Sequence, residues 1–244
     1  MALFMIGLGL ADEKDISLRG LEALKKCEFI YFENYTSKLQ CNAIDLEKLT
    51  GKEHNIADRE FVEKGSDEMI EKAKGKNVAF MVIGDPMCAT THIDLYLRAK
   101  DRGVKVEMIH NASIISAIGE IGLEVYKYGK ITSIPFHNKD VRAPVEVYEM
   151  NSKNGLHTLF LLDLDPKSKK FMSINEGAEY LIRNGISKDA AAVGCACIGS
   201  SDRVIRAAAL GELGRHDLGS PPYCIVMPGK MHFIEEEALK LWKE

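Results

Sequence analysis

Two short turns in the sequence could hold a ligand, because each places small residues directly after an apolar run. The segments are GLGL at residues 7–10 and GDP at residues 84–86. Glycine allows a backbone to approach a bound molecule closely, and proline makes the second turn rigid. Asp85 would then offer a carboxylate to a ribose hydroxyl or an ammonium group. Asp85 could instead close an Asx turn on its own backbone, and residues 7–10 could form a tight turn.

The glycines at positions 7 and 9 do not complete a nicotinamide-dinucleotide fingerprint. That fingerprint needs a third glycine at the start of a helix, whereas the chain has Asp12 at that position. A lone Gly-x-Gly is more typical of a tight turn than of a phosphate site. The GDP turn is more informative, because the small residues of MCATTH, at residues 87–92, leave room for a flat ligand.

Both turns end predicted strands of an α/β fold. In the first half, four apolar runs alternate with amphipathic segments, one of which is a helix that Ser17 can cap. The apolar runs are Leu3–Ile6, Phe29–Phe32, Val78–Ile83 and Val104–Ile109. This alternation predicts a parallel sheet with crossover helices, and ligands bind beyond the carboxyl ends of such strands. By the same criterion, NASI at residues 111–114 and IGSS at residues 198–201 are further candidate binding segments.

The second half is predicted to form a second α/β domain. Its strand-like segments are Ile131–Phe136, residues 156–165, residues 189–202, where a strand runs into a turn of small residues, and residues 221–229. We also predict a helix over residues 111–130, where small residues follow an amphipathic rhythm, and the domain boundary falls near this segment. The predicted domains are residues 1–112 and residues 113–244.

The composition indicates a cytoplasmic protein without metal, membrane or nucleic-acid partners. The six cysteines lack zinc-knuckle spacing and no secretory signal is evident, so we expect reduced thiols, with Cys195 and Cys197 packed in the core on one face of a strand. No apolar stretch approaches the roughly 20 residues that cross a bilayer. A net charge of −4 gives no general attraction to nucleic acid or to anionic membranes.

No side chain is distinguished by the sequence as a catalytic base, and the catalytic residue stays unassigned. His92, His110, His137 and His157 are candidates by residue type alone. His92 lies at a predicted helix start and His157 precedes a buried strand, so packing is the more typical role for both.

Longer segments of the chain are similar to one known family. They include FMIGLGLADEKDISLRGLEALKKCEFIYFENYTS, GDPMCATTH, HNASIISAIGEIGLEVYKYGK, GLHTLFLLDL and PPYCIVMPGKMHFIEEE. Together they resemble the diphthine synthases, which belong to the tetrapyrrole-methylase-like class of S-adenosylmethionine methyltransferases. The resemblance covers nearly the whole chain, and the short length suits the archaeal form of the family.

The resemblance implies two α/β domains with S-adenosylmethionine in the cleft between them, in a homodimer. Methyl transfer would convert this cofactor into S-adenosylhomocysteine. The implied cofactor-binding residues are Leu10, Asp85, Cys88, Ser113, Ile114, Leu162, Ile198 and Tyr223. The chain departs from many relatives at two positions, where Tyr223 replaces a histidine and Cys197 replaces an arginine.

The resemblance also implies the substrate, which is a histidine of elongation factor 2 that already carries an amino-carboxypropyl group. Repeated methylation of its amino group gives diphthine, an intermediate of diphthamide biosynthesis. Basic clusters that could contact such a protein are Lys25-Lys26, Lys127 with Lys130, and Lys167–Lys170, although a solvated surface is the more typical role. The alternatives are a small-molecule methylase of the tetrapyrrole pathway, a dinucleotide-dependent oxidoreductase and a binding module without turnover.

Overall fold

The computed structural model describes residues 1–165, 168 and 170–243. Backbone contacts divide the chain into two compact units, Met1–Ile115 and Ser116–Glu244. Among the described residues, no helix is both long enough and apolar enough to span a membrane.

Strands and helices alternate throughout the first unit, as the apolar pattern predicts. In chain order they are β1 (Leu3–Gly7), α1 (Leu18–Lys26), β2 (Phe29–Glu33), α2 (Ala43–Thr50), β3 (Asn55–Ala57), α3 (Asp67–Gly75), β4 (Val78–Val82), α4 (Ile93–Asp101) and β5 (Val106–Ile109). Helix α1 begins at the predicted cap, because the side chain of Ser17 accepts a hydrogen bond from the Gly20 amide at 3.0 Å.

The sheet of the first unit is parallel and is covered on both faces. Its strand order is β3-β2-β4-β1-β5, and every paired strand is parallel to its neighbour. Val78, Phe80 and Val82 of β4 pack in one apolar cluster, while Ala79 and Met81 pack in a cluster on the other side. Burial on both faces explains why this strand is an unbroken apolar run rather than an alternating one.

The second unit is also built from strands and helices, although its sheet is mixed. A short helix, α5 (Ile114–Ala117), lies at the junction of the two units. The elements that follow are β6 (Thr132–Ile134), α6 (Ala143–Lys153), β7 (Thr158–Leu162), β8 (Leu164–Asp165), β9 (Lys170–Phe171), α7 (Ile174–Arg183), β10 (Ala191–Ala196), β11 (Val204–Ala209), α8 (Leu210–Leu213), β12 (Tyr223–Met227) and α9 (Phe233–Lys240).

Three strands in the middle of the second sheet carry the predicted site residues of this unit. The strand order is β11-β10-β12-β7-β6, in which β12 runs antiparallel to both β10 and β7, and β6 is parallel to β7. An apolar core that includes Phe160, Leu181 and Ile225 packs against this sheet. The α/β architecture predicted for both halves is therefore observed.

The predicted helix over residues 111–130 is wrong. Only α5 and two single 3-10 turns, Ile118–Ile121 and Val125–Lys127, form in this segment. Gly122 adopts a left-handed backbone with φ +92°, which ends the helical path. A Cβ atom at this position would also lie 2.3 Å from Cβ of Ala238, so the segment follows the surface of α9 instead of extending as one helix.

Candidate functional site

Asp85 joins the end of β4 to the end of β5. Its carboxylate is 5% exposed, and Oδ1 accepts a hydrogen bond from the Met87 amide at 2.9 Å, which is the Asx turn that the sequence left as one option. Oδ2 accepts from the Asn111 amide at 3.1 Å and from Nδ1 of His110 at 2.8 Å. Burial raises the pKa of Asp85, but these three donors outweigh burial and hold the pKa below its usual range. The carboxylate is therefore ionised at neutral pH.

Four further predicted residues lie on the segments around Asp85. The thiol of Cys88 makes hydrogen bonds with Asp85 and with Ser113, and burial together with the charge of Asp85 raises its pKa, so the thiol stays protonated. The side chain of Leu10 lies beside Gly84, since a Cβ atom placed on that glycine would be 4.0 Å from Leu10 Cδ2. Ile114 begins α5 directly after Ser113. The ends of three neighbouring strands, β4, β1 and β5, thus meet at one edge of the sheet.

The two glycines of the GLGL turn pack closely against other atoms of the protein. A Cβ atom on Gly7 would lie 2.6 Å from the Gly84 carbonyl oxygen, and one on Gly9, where φ is +85°, would lie 2.5 Å from Cβ of Asp15. The amides of Gly9 and Gly84 each donate to the carbonyl of the other, at 3.2 and 2.7 Å. Residues 7–10 therefore form the tight turn that the sequence left as one option.

The three predicted residues of the second unit lie at one end of its sheet. Leu162 ends β7, Tyr223 begins β12 and Ile198 follows β10 after one intervening residue. The register pairs Ala196 with Tyr223 and Leu161 with Cys224, so these three positions belong to adjacent strands. Ile198 is 5% exposed, while Leu162 and Tyr223 are partly buried against the core.

The two residues that depart from the family pattern, Tyr223 and Cys197, each donate a hydrogen bond to a nearby backbone carbonyl. The hydroxyl of Tyr223 donates to the Gly219 carbonyl at 2.5 Å, and burial raises its pKa. The thiol of Cys197 donates to the Ser220 carbonyl at 3.0 Å. Cys195 and Cys197 are both buried, as predicted, but β10 ends at Ala196 and Cys197 has φ +50°. The strand alternation that would place both thiols on one face therefore stops before Cys197.

The four candidate histidines have different surroundings in the structure. His92 is 1% exposed, its Nδ1 lies 3.1 Å from the Pro86 carbonyl oxygen, and its ring contacts Phe80 edge-on, which is the expected packing role. His157 is fully buried between Glu235 and the Gly229 amide. His137 is exposed and lies 3.7 Å from Asp165. His110 alone of the four contacts a predicted cofactor-binding residue.

The basic clusters provide little support for a docking surface. Lys127 is paired with the buried carboxylate of Glu235, and Lys170 is paired with Glu176 at 3.0 Å. Lys167 and Lys169 lie outside the described residues. Lys25 and Lys26, in the last turn of α1, are exposed.

Comparisons with known proteins assign the chain to a family. The family model of the tetrapyrrole (corrin/porphyrin) methylases matches residues 2–214. A diphthine methyl ester synthase of Schizosaccharomyces pombe is 42% identical over 98% of this chain and 93% of its own length. A diphthine synthase of Methanococcus aeolicus is 42% identical over 98% of this chain and 96% of its own length. The chain belongs to the diphthine synthase family.

A solved structure supports the same assignment. The crystal structure of a diphthine synthase aligns with a TM-score of 0.94 at 39% identity, and the alignment covers 100% of this chain and 96% of that one. The α/β fold, the methyltransferase class and the connection to diphthamide biosynthesis, all predicted from sequence, are confirmed. The two relatives, one eukaryotic and one archaeal, share the same 42% identity with this chain, so identity does not separate the two forms.

Sequence reasoning did not place His110 and Asn111 beside Asp85. His110 and Asn111 supply both hydrogen bonds to Oδ2 of Asp85, and the side chain of Asn111 also donates to the carbonyls of Gly7 and Asp15 at 3.0 Å each. The sequence signal for this contact was their position, because His110 and Asn111 directly follow the predicted strand Val104–Ile109.

Proposed function

We propose that this methyltransferase binds S-adenosylmethionine and transfers its methyl groups to the amino-carboxypropyl-modified histidine of elongation factor 2. The binding residues would be Leu10, Asp85, Cys88, Ser113 and Ile114 of the first unit and Leu162, Ile198 and Tyr223 of the second. The cofactor supplies an electrophilic methyl group on a sulfonium, and the protein supplies position and electrostatic environment.

One observation carries this proposal. In each unit, the predicted cofactor-binding residues lie at neighbouring strand ends of the sheet. In the first unit, the neutral thiol of Cys88 makes hydrogen bonds with the ionised carboxylate of Asp85 and with the hydroxyl of Ser113. A carboxylate suits the hydroxyl and ammonium groups of the cofactor, and the apolar side chains of Leu162 and Ile198 suit its adenine ring. These polar and apolar side chains therefore fit S-adenosylmethionine.

The protein partner and the number of methyl groups belong to the same proposal. Repeated methylation of one amine would give the trimethylammonium group of diphthine, as in the resemblance that the sequence suggested. Since one relative is named a diphthine methyl ester synthase, a carboxyl methyl ester is the alternative final product. We also propose that the enzyme acts as a cytoplasmic homodimer, which sedimentation should show as twice the mass of one chain.

Calorimetric titration with S-adenosylhomocysteine tests the cofactor site. Hydrogen bonds to charged groups contribute about 1.5–3 kcal/mol, so Asp85→Asn should weaken binding by a factor on the order of 10 to 100. Asp101→Asn provides the matched control, because Asp101 is exposed at the end of α4 in the same unit. Its affinity should equal that of the wild type.

The proposal fails at the cofactor if the wild-type chain does not bind S-adenosylhomocysteine. Equal affinity of Asp85→Asn and the wild type would instead remove Asp85 from the site. Thermal unfolding of each variant separates loss of binding from loss of folding.

Methyl transfer onto elongation factor 2 tests the substrate. The substrate protein should carry the amino-carboxypropyl group, and mass spectrometry should count the methyl groups added by the wild-type enzyme. Brief alkaline treatment distinguishes the two products, because a methyl ester is hydrolysed whereas N-methyl groups are retained. No added mass on the modified factor would refute this substrate.

A further inference from the structure

His110 forms an acid–imidazole pair with Asp85 at the end of β5. Nδ1 of His110 lies 2.8 Å from Oδ2 of Asp85. Because the pKa of Asp85 is held below its usual range, the carboxylate accepts and Nδ1 must carry the hydrogen. A neutral His110 ring in this orientation has its free lone pair on Nε2.

The ring of His110 is accessible, unlike its carboxylate partner. The side chain is 68% exposed, against 5% for Asp85. Within the part of the chain that the structure describes, the only hydrogen-bond partner of the His110 ring is Asp85. A buried carboxylate that orients an imidazole with an open outer nitrogen is the arrangement by which hydrolase triads prepare a proton acceptor.

Other polar groups near this strand edge are poor proton acceptors. Both Asp85 oxygens already accept hydrogen bonds, and Cys88 holds its own proton because burial raises its pKa. His92 is buried against Pro86, and burial lowers its pKa. His110 is therefore the titratable group at this edge that combines a free nitrogen with solvent access.

The proposed reaction requires such an acceptor. An ammonium group has no lone pair, so the substrate amine must lose a proton before it can attack a methyl carbon. The nitrogen then forms a bond to that carbon, the carbon–sulfur bond breaks, and its electron pair stays on sulfur. Each transfer thus releases one proton and one S-adenosylhomocysteine, and a trimethylated product requires three deprotonations.

We propose that Nε2 of His110 accepts this proton from the substrate amine before each methyl transfer. The assignment rests on the proposed function. Protonation gives an imidazolium, which the ionised Asp85 stabilises across the Nδ1 hydrogen bond and which then returns its proton to water. Asp85 is a positioning residue in this step, whereas His110 contacts the reacting amine.

The test is His110→Asn, assayed for the first methyl transfer onto amino-carboxypropyl-modified elongation factor 2. The asparagine amide can keep the donor to Asp85 while the Nε2 acceptor is removed. We expect S-adenosylhomocysteine affinity within about threefold of the wild type and a kcat lower by about 10²-fold or more at pH 7. His137→Asn is the control, since His137 is similarly exposed and also faces an aspartate. Its kcat should be unchanged.

The pH profile distinguishes an acceptor from a structural role. The titratable groups around His110 are Asp85, Cys88 and Asp15. Asp85 contacts the ring and Cys88 contacts Asp85, while Asp15 accepts hydrogen bonds from the Leu10 and Ala11 amides of the neighbouring turn. Near neutral pH Asp85 is ionised and Cys88 is protonated, because the pKa of Asp85 is lowered and that of Cys88 is raised. The deficit of His110→Asn should therefore shrink as the pH rises and the amine deprotonates in water, and added imidazole should restore part of the rate.

Four results would overturn the assignment. A wild-type kcat in His110→Asn would exclude His110 as the acceptor, and a deficit constant across the pH range would make it structural. Loss of S-adenosylhomocysteine binding in the variant would place its role in the cofactor site. A wild-type enzyme that transfers no methyl group would refute the proposed function itself, and the role of His110 with it.

Discussion

Glu235 is a buried acid outside the candidate site whose pKa is strongly lowered. It is 1% exposed, and its carboxylate accepts from the amides of Glu124 and His232 at 3.0 and 2.8 Å, from Nε2 of His157 at 2.9 Å and from the ammonium of Lys127. Burial raises its pKa, but these donors outweigh burial and lower the pKa to about 2. The carboxylate of Glu235 thus connects α9, through hydrogen bonds, with the segment before β6 and with the start of β7.

This network predicts a specific loss of stability in acid. Since the pKa of Glu235 falls from 4.5 to about 2 on folding, the unfolded chain takes up a proton at pH values where the folded chain does not. Its stabilisation is fully present above about pH 5 and is lost as the pH falls through the folded pKa. Glu235→Gln should lower the free energy of unfolding by about 3 kcal/mol at pH 7, and by progressively less below pH 4.5.

Urea unfolding of both proteins at a series of pH values measures this difference. Glu236→Gln is the control, because Glu236 is the next residue and is exposed. Its free energy of unfolding should match the wild type within about 0.5 kcal/mol. His157 adds to the acid sensitivity of the wild type, since burial lowers its pKa and favours the unfolded state as the pH falls. A difference independent of pH would contradict the ionised pairing of Glu235.

At the scale of elements, the candidate site depends on how strand ends are joined. The turns after β1 and β4 are held together by the reciprocal bonds of Gly9 and Gly84, and β5 joins them through Asn111. None of these contacts involves residues close in sequence. Strands β1, β4 and β5 could each be located from their apolar pattern, yet the pattern contains no information on which strand ends become neighbours.

The conformation of the turn after β1 predicts that replacing the glycine at position 9 destabilises the protein. Gly9→Ala would need φ +85° and would place Cβ 2.5 Å from Cβ of Asp15, whose carboxylate binds the Leu10 and Ala11 amides. We expect a loss of about 2–3 kcal/mol in the free energy of unfolding and weaker binding of S-adenosylhomocysteine.

Gly75→Ala is the matched control for Gly9→Ala. Gly75 ends α3 without a left-handed φ, and a Cβ atom there would meet nothing within 4 Å. The substitution should be neutral or stabilising by up to about 1 kcal/mol. Denaturant unfolding and calorimetry measure both effects. A Gly9→Ala variant as stable as Gly75→Ala would mean that the turn can change its conformation at little cost.

At the scale of the whole molecule, ligand-induced stabilisation tests the class of cofactor. A ligand at about 100 times its Kd stabilises the native state by about 2.7 kcal/mol, which raises the Tm of a chain of this size by roughly 5–10 °C. S-adenosylhomocysteine should produce such a shift, and NADH at the same concentration should produce none. A shift with NADH alone would favour the dinucleotide-dependent alternative.

The sequence by itself determined the α/β class, the strands that end in candidate segments and, through its resemblance to a family, the type of reaction. These features depend on local periodicity and on motifs that are contiguous in the chain. The long helix predicted over residues 111–130 failed because Gly122 and its contact with Ala238 are set by tertiary packing. Likewise, only the tertiary structure decided that the carboxylate of Asp85 contacts His110 rather than another histidine. This contact depends on the parallel strand order β4-β1-β5, which brings together residues from separate strands.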